Sequence, residues 1–212
     1  SLRHRAFALD DRNALDRGIT GFRLVVNVAG PFVGTGTALA QACLRVGTHY
    51  LDISSELSDF RMLQPLAERA ANSGVMLLPG VGFGFMASEC LALHAWQRHR
   101  TAVQMQVGIK TSHGGITAGT LNTLLENPQL PGFRLEASQL KPTSFAENSA
   151  EFDFGDGGEI RCPNYPWRAE PLAIMSSTGL STVETYLALP RTLRFLTRHP
   201  RLARNSRIRR LL

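Results

Sequence analysis

The sequence predicts a parallel α/β sheet followed by an α+β domain with antiparallel strands, and three observations carry that prediction. Between Phe22 and Ile53 the chain reads strand, glycine loop, helix, strand, which is one βαβ unit. The same alternation continues to Arg98. After His99 the apolar residues switch to a period of two, as in strands with one wet face.

The elements follow in order. Arg5–Leu9 is expected to be a short strand, and Asp10-Asp11 a turn or N-cap for a short helix over Asn13–Arg17 that ends at Gly18. Leu24–Ala29 is short and valine-rich, the pattern of a strand buried on both faces. Gly30-Pro31 stops it, and Gly34 and Gly36 leave the next loop bare of side chains. A helix over Thr37–Val46 puts Leu39, Ala40, Cys43 and Leu44 on one face and ends at Gly47, a natural C-cap. Tyr50–Ile53 is the next strand and carries Asp52. A long helix, Glu56–Asn72, has an apolar stripe of Leu57, Phe60, Leu63, Leu66, Ala67 and Ala70. Val75–Leu78 is a third strand, Pro79–Gly84 a glycine-rich loop, and Ala87–Arg98 a helix.

In the second region, Val103–Ile109 alternates as a strand and Thr117–Asn127 is a predicted helix. No element is assigned to Pro128–Asn148. Glu151–Phe154 and Glu159–Cys162 flank Gly155-Asp156-Gly157-Gly158, a strong hairpin signal. Leu172–Met175 and Thr182–Leu189 alternate as further strands. The expected domains are 1–99, 100–190 and an Arg-rich amphipathic tail, 191–212.

Composition narrows the function classes. Net charge is +6, yet residues 191–212 hold eight arginines and no acid, leaving 15 basic against 17 acidic residues elsewhere. The body is near neutral and the basic charge belongs to the tail, which could bind anionic lipid or nucleic acid; no aromatic-interleaved nucleic-acid motif accompanies it, so no nucleic-acid partner is expected. The tail reads as a solvated helix or as a peripheral contact with anionic lipid. Cys43, Cys90 and Cys162 are odd in number and lack metal spacing, so reduced thiols, a cytoplasmic setting and no metal are expected. No apolar run reaches the roughly eighteen residues of a membrane span.

Ligands of parallel sheets bind beyond the carboxyl ends of the strands, which points to the Gly30–Gly36 and Asp52–Glu56 loops. Gly34-Thr35-Gly36 precedes Asp52 by the spacing of a ribose-binding acid, but Leu39 stands where the dinucleotide fingerprint has its third glycine. Gly80-Val81-Gly82-Phe83-Gly84 lies between a strand and a helix, with Phe85 in the third slot. Both loops also read as plain tight turns. His49, Tyr50, Asp52, Ser54 and Glu56 crowd one strand end, as acid/base chemistry or helix capping would have them. His113-Gly114-Gly115 with Thr117 forms an anion loop or a cap, and His94 and His99 read as surface or core-edge histidines. No nucleophile elbow is present.

Taken in succession, RAFALDD, VVNVAGPF, ACLRVGTHYLDIS, GVMLLPGVGF with CLALH, GGITAGTLNTLLE, FDFGDG and STGLSTVETYLALP resemble the saccharopine dehydrogenase-like oxidoreductases, in particular their trans-acting enoyl reductase branch. The resemblance covers most of residues 4–190. It implies a Rossmann domain that binds NADP or NAD, a second domain over the nicotinamide, and hydride transfer to a small-molecule substrate, an enoyl or imine compound. By carry-over, Gly30, Pro31 and Phe32 follow the fourth strand, Asp52 ends the fifth, and Gly82 and Phe83 follow the sixth; all six are expected at the cofactor. Gly84, Ala87 and Glu89 depart from the family's usual Asp, Pro and Asp, and no catalytic residue is assigned. The resemblance also implies an incomplete Rossmann-type sheet. Arg5–Leu9 would be its third strand, with the first two strands and the phosphate loop outside these residues and a C-terminal portion cut short. Weak cofactor binding and self-association through an uncovered fourth strand are then expected. The alternative is a non-catalytic interaction protein whose basic tail docks on acidic surfaces.

Overall fold

The computed structural model describes residues 4–111 and 132–189. The chain divides into two compact units between Cys90 and Leu91.

In the first unit, Asp11 caps α1 (Arg12–Ile19) by accepting a 2.9 Å hydrogen bond from Ala14 N. Three strands, β1 (Leu24–Asn27), β2 (His49–Asp52) and β3 (Leu77–Leu78), form a parallel sheet in the order β1-β2-β3. Val26 sits opposite Leu51, and Leu51 opposite Leu78. Between β1 and β2 runs α2 (Phe32–Val46), ended by Gly47 in the left-handed conformation. The core gathers Leu15 and Ile19 of α1, Leu39, Ala40 and Cys43 of α2, Tyr50 of β2, and Val25 and Leu77 at its margin. Burial pushes the Cys43 thiol up to about 11, which leaves it inert at neutral pH.

Four expectations are corrected here. Arg5–Leu9 is not a strand. It has no strand partner among the described residues, and its apolar side chains Phe7 and Leu9 pack into the α1–α2 core instead. β1 is not buried on both faces: Leu24 is 40% and Val26 50% exposed, because the helices of this core pack on the Val25–Tyr50–Leu77 side. The helix after β1 begins at Phe32, so Gly34 and Gly36 lie in its first turns rather than in a loop. The expected long helix is broken into α3 (Leu57–Leu63), a 3-10 turn (Gln64–Leu66) and α4 (Ala67–Asn72). Pro65 causes that break, since it has no N–H to donate and its ring crowds the preceding turn.

α5 (Phe83–Arg98) starts four residues before its expected position. In the second unit, β4 (Met105–Ile109), β5 (Gly132–Glu136), β6 (Gln139–Thr143) and β9 (Val183–Leu187) form a sheet in the order β4-β9-β5-β6. The β4–β9 pair is parallel and the others antiparallel. β7 (Ser149–Asp153) and β8 (Glu159–Pro163) form the hairpin expected around Gly155–Gly158. Leu172–Met175 is not a strand but part of α6 (Glu170–Thr178). Pro171 near its start and Gly179 at its left-handed C-cap mark a helix that a short alternating window hides. The β5–β6 hairpin escaped notice because Ala137 and Ser138 make its turn at φ 51° and 62°, where Asn-Gly would be the usual signal. Ile174 of α6 packs against Leu135 and Val183 on one sheet face. On the other, Phe152 of the β7–β8 hairpin lies against Tyr186, with ring centroids 5.4 Å apart.

Thr117–Asn127, the His113-Gly114-Gly115 loop and the 191–212 tail lie outside the described residues.

Candidate functional site

Every strand of the first sheet runs the same way, so the loops after β1, β2 and β3 emerge at one end. A chain of buried polar side chains ties the three together. Asn27, Tyr50, Asp52 and Ser54 are all 3% exposed or less. Asp52 Oδ2 accepts from the Tyr50 hydroxyl at 2.8 Å. Its Oδ1 accepts from Ser54 Oγ at 2.6 Å, Ser54 N at 2.9 Å and Gly80 N at 2.9 Å. Val81 N donates to the Asp52 carbonyl at 2.8 Å, so the β3 loop is held to β2 at two points.

The chain continues toward β1. Asn27 Nδ2 donates to the Tyr50 hydroxyl at 3.3 Å and to Thr35 Oγ1 at 2.9 Å. Thr35 Oγ1 donates to the Ala29 carbonyl at 2.7 Å, and Ala29 N donates to Asn27 Oδ1 at 3.1 Å. The turn into Gly30-Pro31 is thereby fastened to the first turns of α2. A Cβ on Gly36 would stand 3.2 Å from the Tyr50 hydroxyl, so glycine lets the helix sit directly on this network. Burial, and then the Asp52 carboxylate, hold the Tyr50 phenol far above its ordinary range, so it stays protonated as a donor.

The six residues expected at a cofactor divide into two groups. Gly30 and Pro31 are exposed at the end of β1, and Phe32 is half-buried at the start of α2. Gly82 is half-buried against Ile53: a Cβ there would lie 3.0 Å from the Ile53 Cβ and 3.1 Å from its carbonyl. Phe83 is 90% exposed. These five lie in the loops and helix starts after β1 and β3, and none of them is fully buried. Asp52 differs, being 1% exposed with both oxygens engaged by protein donors. Its chemistry here is to position loops.

Of the neighbouring residues, His49 accepts from Met76 N at 3.1 Å through Nδ1 and so bridges β2 to the segment before β3. Glu56 is the N-cap residue of α3 and makes no side-chain capping bond. Asp59, in the first turn of α3, is a titratable group that pattern reading missed. It is 7% exposed, and burial, then the Glu56 and Asp52 carboxylates, push it up to about 7. The signal was available as a third acid within eight residues of Asp52 on a helix start. His94 and His99 are exposed. No helix among the described residues is long and apolar enough to cross a membrane.

Comparison with known proteins bears on this geometry. Residues 1–78 match the family model described as the saccharopine dehydrogenase NADP binding domain. No curated protein matches the sequence. Among solved structures, apo histidine-tagged saccharopine dehydrogenase (L-Glu forming) from Saccharomyces cerevisiae aligns with a TM-score of 0.54 and 11% identity, over 85% of this chain and 43% of that one. The YPO2259 protein from Yersinia pestis aligns at 14% identity over 85% of this chain and 50% of that one, but its TM-score of 0.35 carries no argument. The chain thus spans half or less of the length of the solved structures it matches. The segment that builds the buried Asn27–Tyr50–Asp52 network is therefore similar to a nicotinamide-dinucleotide binding domain, in a chain with the Rossmann-like fold of saccharopine dehydrogenase.

Proposed function

We propose that the carboxyl-end loops of the first sheet form the ribose–nicotinamide side of an NADP(H) crevice in an oxidoreductase of the saccharopine dehydrogenase-like kind, with NADP favoured over NAD. The observation that carries this reading is the hydrogen-bonded network from Ala29 to Gly80, which presets two glycine loops at the end of a parallel sheet, where such ligands bind. The residues fit the group. Gly30 and Gly82 present backbone without side chains, and Phe83 offers an exposed ring to a ribose or nicotinamide face. When bound, the nicotinamide supplies the hydride. The protein's part is to hold the loop backbone in register through Asp52 and Asn27, and to keep Tyr50 protonated as a fixed donor inside the wall.

The trans-acting enoyl reductase branch is the finer assignment, resting on the succession of GPF, HYLDIS and FDFGDG, with an enoyl or imine compound as acceptor. No glycine loop in the 212 residues has the G-x-G-x-x-G spacing, so the pyrophosphate would be poorly held by this chain alone. Titration of a 15N-labelled sample tests the proposal. NADPH and reduced nicotinamide mononucleotide should each perturb the amides of Gly30, Phe32, Gly82 and Phe83, with affinities weaker than low micromolar. Silence at these amides at millimolar ligand would refute the site, and low-micromolar NADPH binding would refute the expectation that the pyrophosphate is poorly held.

A further inference from the structure

Tyr50 stands midway in the hydrogen-bonded chain between the turn after β1 and the loop after β3, and its ring and its hydroxyl have separate tasks. The ring is fully buried in the helical core with Leu15, Leu39 and Cys43. A phenylalanine would fill that space equally well. A buried hydroxyl costs free energy unless it is hydrogen-bonded, and the fold leaves room for this one: a Cβ on Gly36 would stand 3.2 Å from its oxygen. What the hydroxyl alone supplies is a link.

The direction of each bond in that chain is fixed. The Asn27 carboxamide donates to Thr35 Oγ1 at 2.9 Å and to the Tyr50 hydroxyl at 3.3 Å, and its Oδ1 accepts from Ala29 N. Each hydroxyl, having accepted from Asn27, gives its own proton away from it, Thr35 to the Ala29 carbonyl and Tyr50 to Asp52 Oδ2. Burial, and then the Asp52 carboxylate, keep the phenol protonated, so this polarity holds through neutral pH. Asp52 Oδ1 then accepts from Gly80 N at 2.9 Å.

We infer that Tyr50 is a positioning residue that couples the Gly30–Phe32 turn to the Gly80–Gly82 loop, so that the two respond together to a ligand at either. The identity of that ligand rests on the cofactor reading; the coupling belongs to the network itself. Two features favour coupling over plain core packing. Five hydrogen bonds run without a break from the Ala29 carbonyl to Gly80 N, through Asn27, Tyr50 and Asp52, all of them buried. Bonds in such a chain polarise one another, so removing one member weakens more than its own contact. Both hydroxyl protons are also committed, so a change at Thr35 reaches Asp52 as an altered bond and is not absorbed by rotation.

Amide chemical shifts of the 15N-labelled 212-residue chain test this, first without ligand. Thr35→Val removes the hydroxyl at one end and should move the Gly80 and Val81 amides, whereas Thr35→Ser keeps the hydroxyl and should leave them in place. In a Tyr50→Phe background, Thr35→Val should no longer reach Gly80 and Val81. A tyrosine that merely packs would not change that transmission. If Tyr50→Phe fails to fold, a double-variant cycle takes its place, pairing Thr35→Val with Ser54→Ala at the far end of the chain, where Ser54 donates to Asp52 Oδ1 at 2.6 Å. The combined loss in the folding equilibrium constant should differ from the product of the single losses by about threefold or more. Strict multiplicativity in that cycle, unmoved Gly80 and Val81 amides in Thr35→Val, or movement that persists with Tyr50→Phe would each overturn the inference. With reduced nicotinamide mononucleotide as the probe, Tyr50→Phe should weaken binding about fivefold, and equal affinity in the two proteins would also overturn it. If the mononucleotide bound neither protein while the ligand-free transmission held, the cofactor reading would fall and the coupling would stand.

Discussion

The two units solve the same problem, how to cover a sheet, in different ways. In the second, α6 covers one face through Ile174, and the β7–β8 hairpin covers the other through Phe152. The fit is close enough that a Cβ on Gly108 would come within 2.5 Å of the Phe152 ring. Glu184 gathers polar contacts under the hairpin: Asn148 Nδ2 donates to both its oxygens, at 2.9 and 3.1 Å, and the Tyr186 hydroxyl donates to it at 2.8 Å. The first unit covers one face with helices and leaves Leu24, Val26 and Leu78 in the open. Its most elaborate polar network lies at the strand ends, where loops rather than layers are joined. The second unit thus covers both faces of its sheet, whereas the first covers one and gathers its polar contacts at the strand ends.

That contrast can be tested by substitutions aimed at each device. The largest effect is expected at the strand-end network. Asp52→Ala leaves the Tyr50 hydroxyl, Ser54 and Gly80 N without their shared acceptor, and should cost the first unit about 3–5 kcal/mol in chemical denaturation. A loss below about 1 kcal/mol would mean that water replaces the carboxylate easily and that the loops are not preset.

Next comes Asp59. Its folded pKa of about 7 stands above the ordinary carboxyl value, so the folded state holds its proton more tightly than the unfolded chain does. The stability is complete below about pH 4 and falls away as pH rises toward 7. Asp59→Asn should therefore stabilise the first unit above pH 7, by no more than about 4 kcal/mol, and the advantage should fade on acidification toward pH 4. Parallel stability–pH curves for the two proteins would contradict this.

The smallest effect is expected in the second unit. Gly108→Ala pushes Phe152 away from the sheet and should cost about 1–3 kcal/mol, with faster amide exchange confined to the β7–β8 hairpin. If exchange also accelerated in α6, the two faces of that sheet would be coupled, and the comparison drawn above would need revision.

Much of this was legible from the residues themselves. The βαβ order, the Gly47 cap, the Asp11 cap and the Gly155–Gly158 hairpin each follow from a local rule, whether a period, a cap or a turn dipeptide, and each is present. Local rules also single out the carboxyl ends of the strands as the expected ligand side. Other features depended on partners distant in the chain. Arg5–Leu9 has strand composition but pairs with no strand among the described residues, and its side chains Phe7 and Leu9 pack on the helical core. Leu172–Met175 alternates like a strand, yet its apolar residues serve a helix packed on β9 and β5. Asp52 looked like a ligand-facing acid because it ends a strand; only the arrival of Gly80, 28 residues later, turned it into the centre of a buried network. Sequence thus determined the βαβ order of the first unit and the common direction of its strands. Tertiary structure decided which of the strand-end residues are buried and bonded, because burial and hydrogen bonding are settled by what packs alongside, and no short window contains that information.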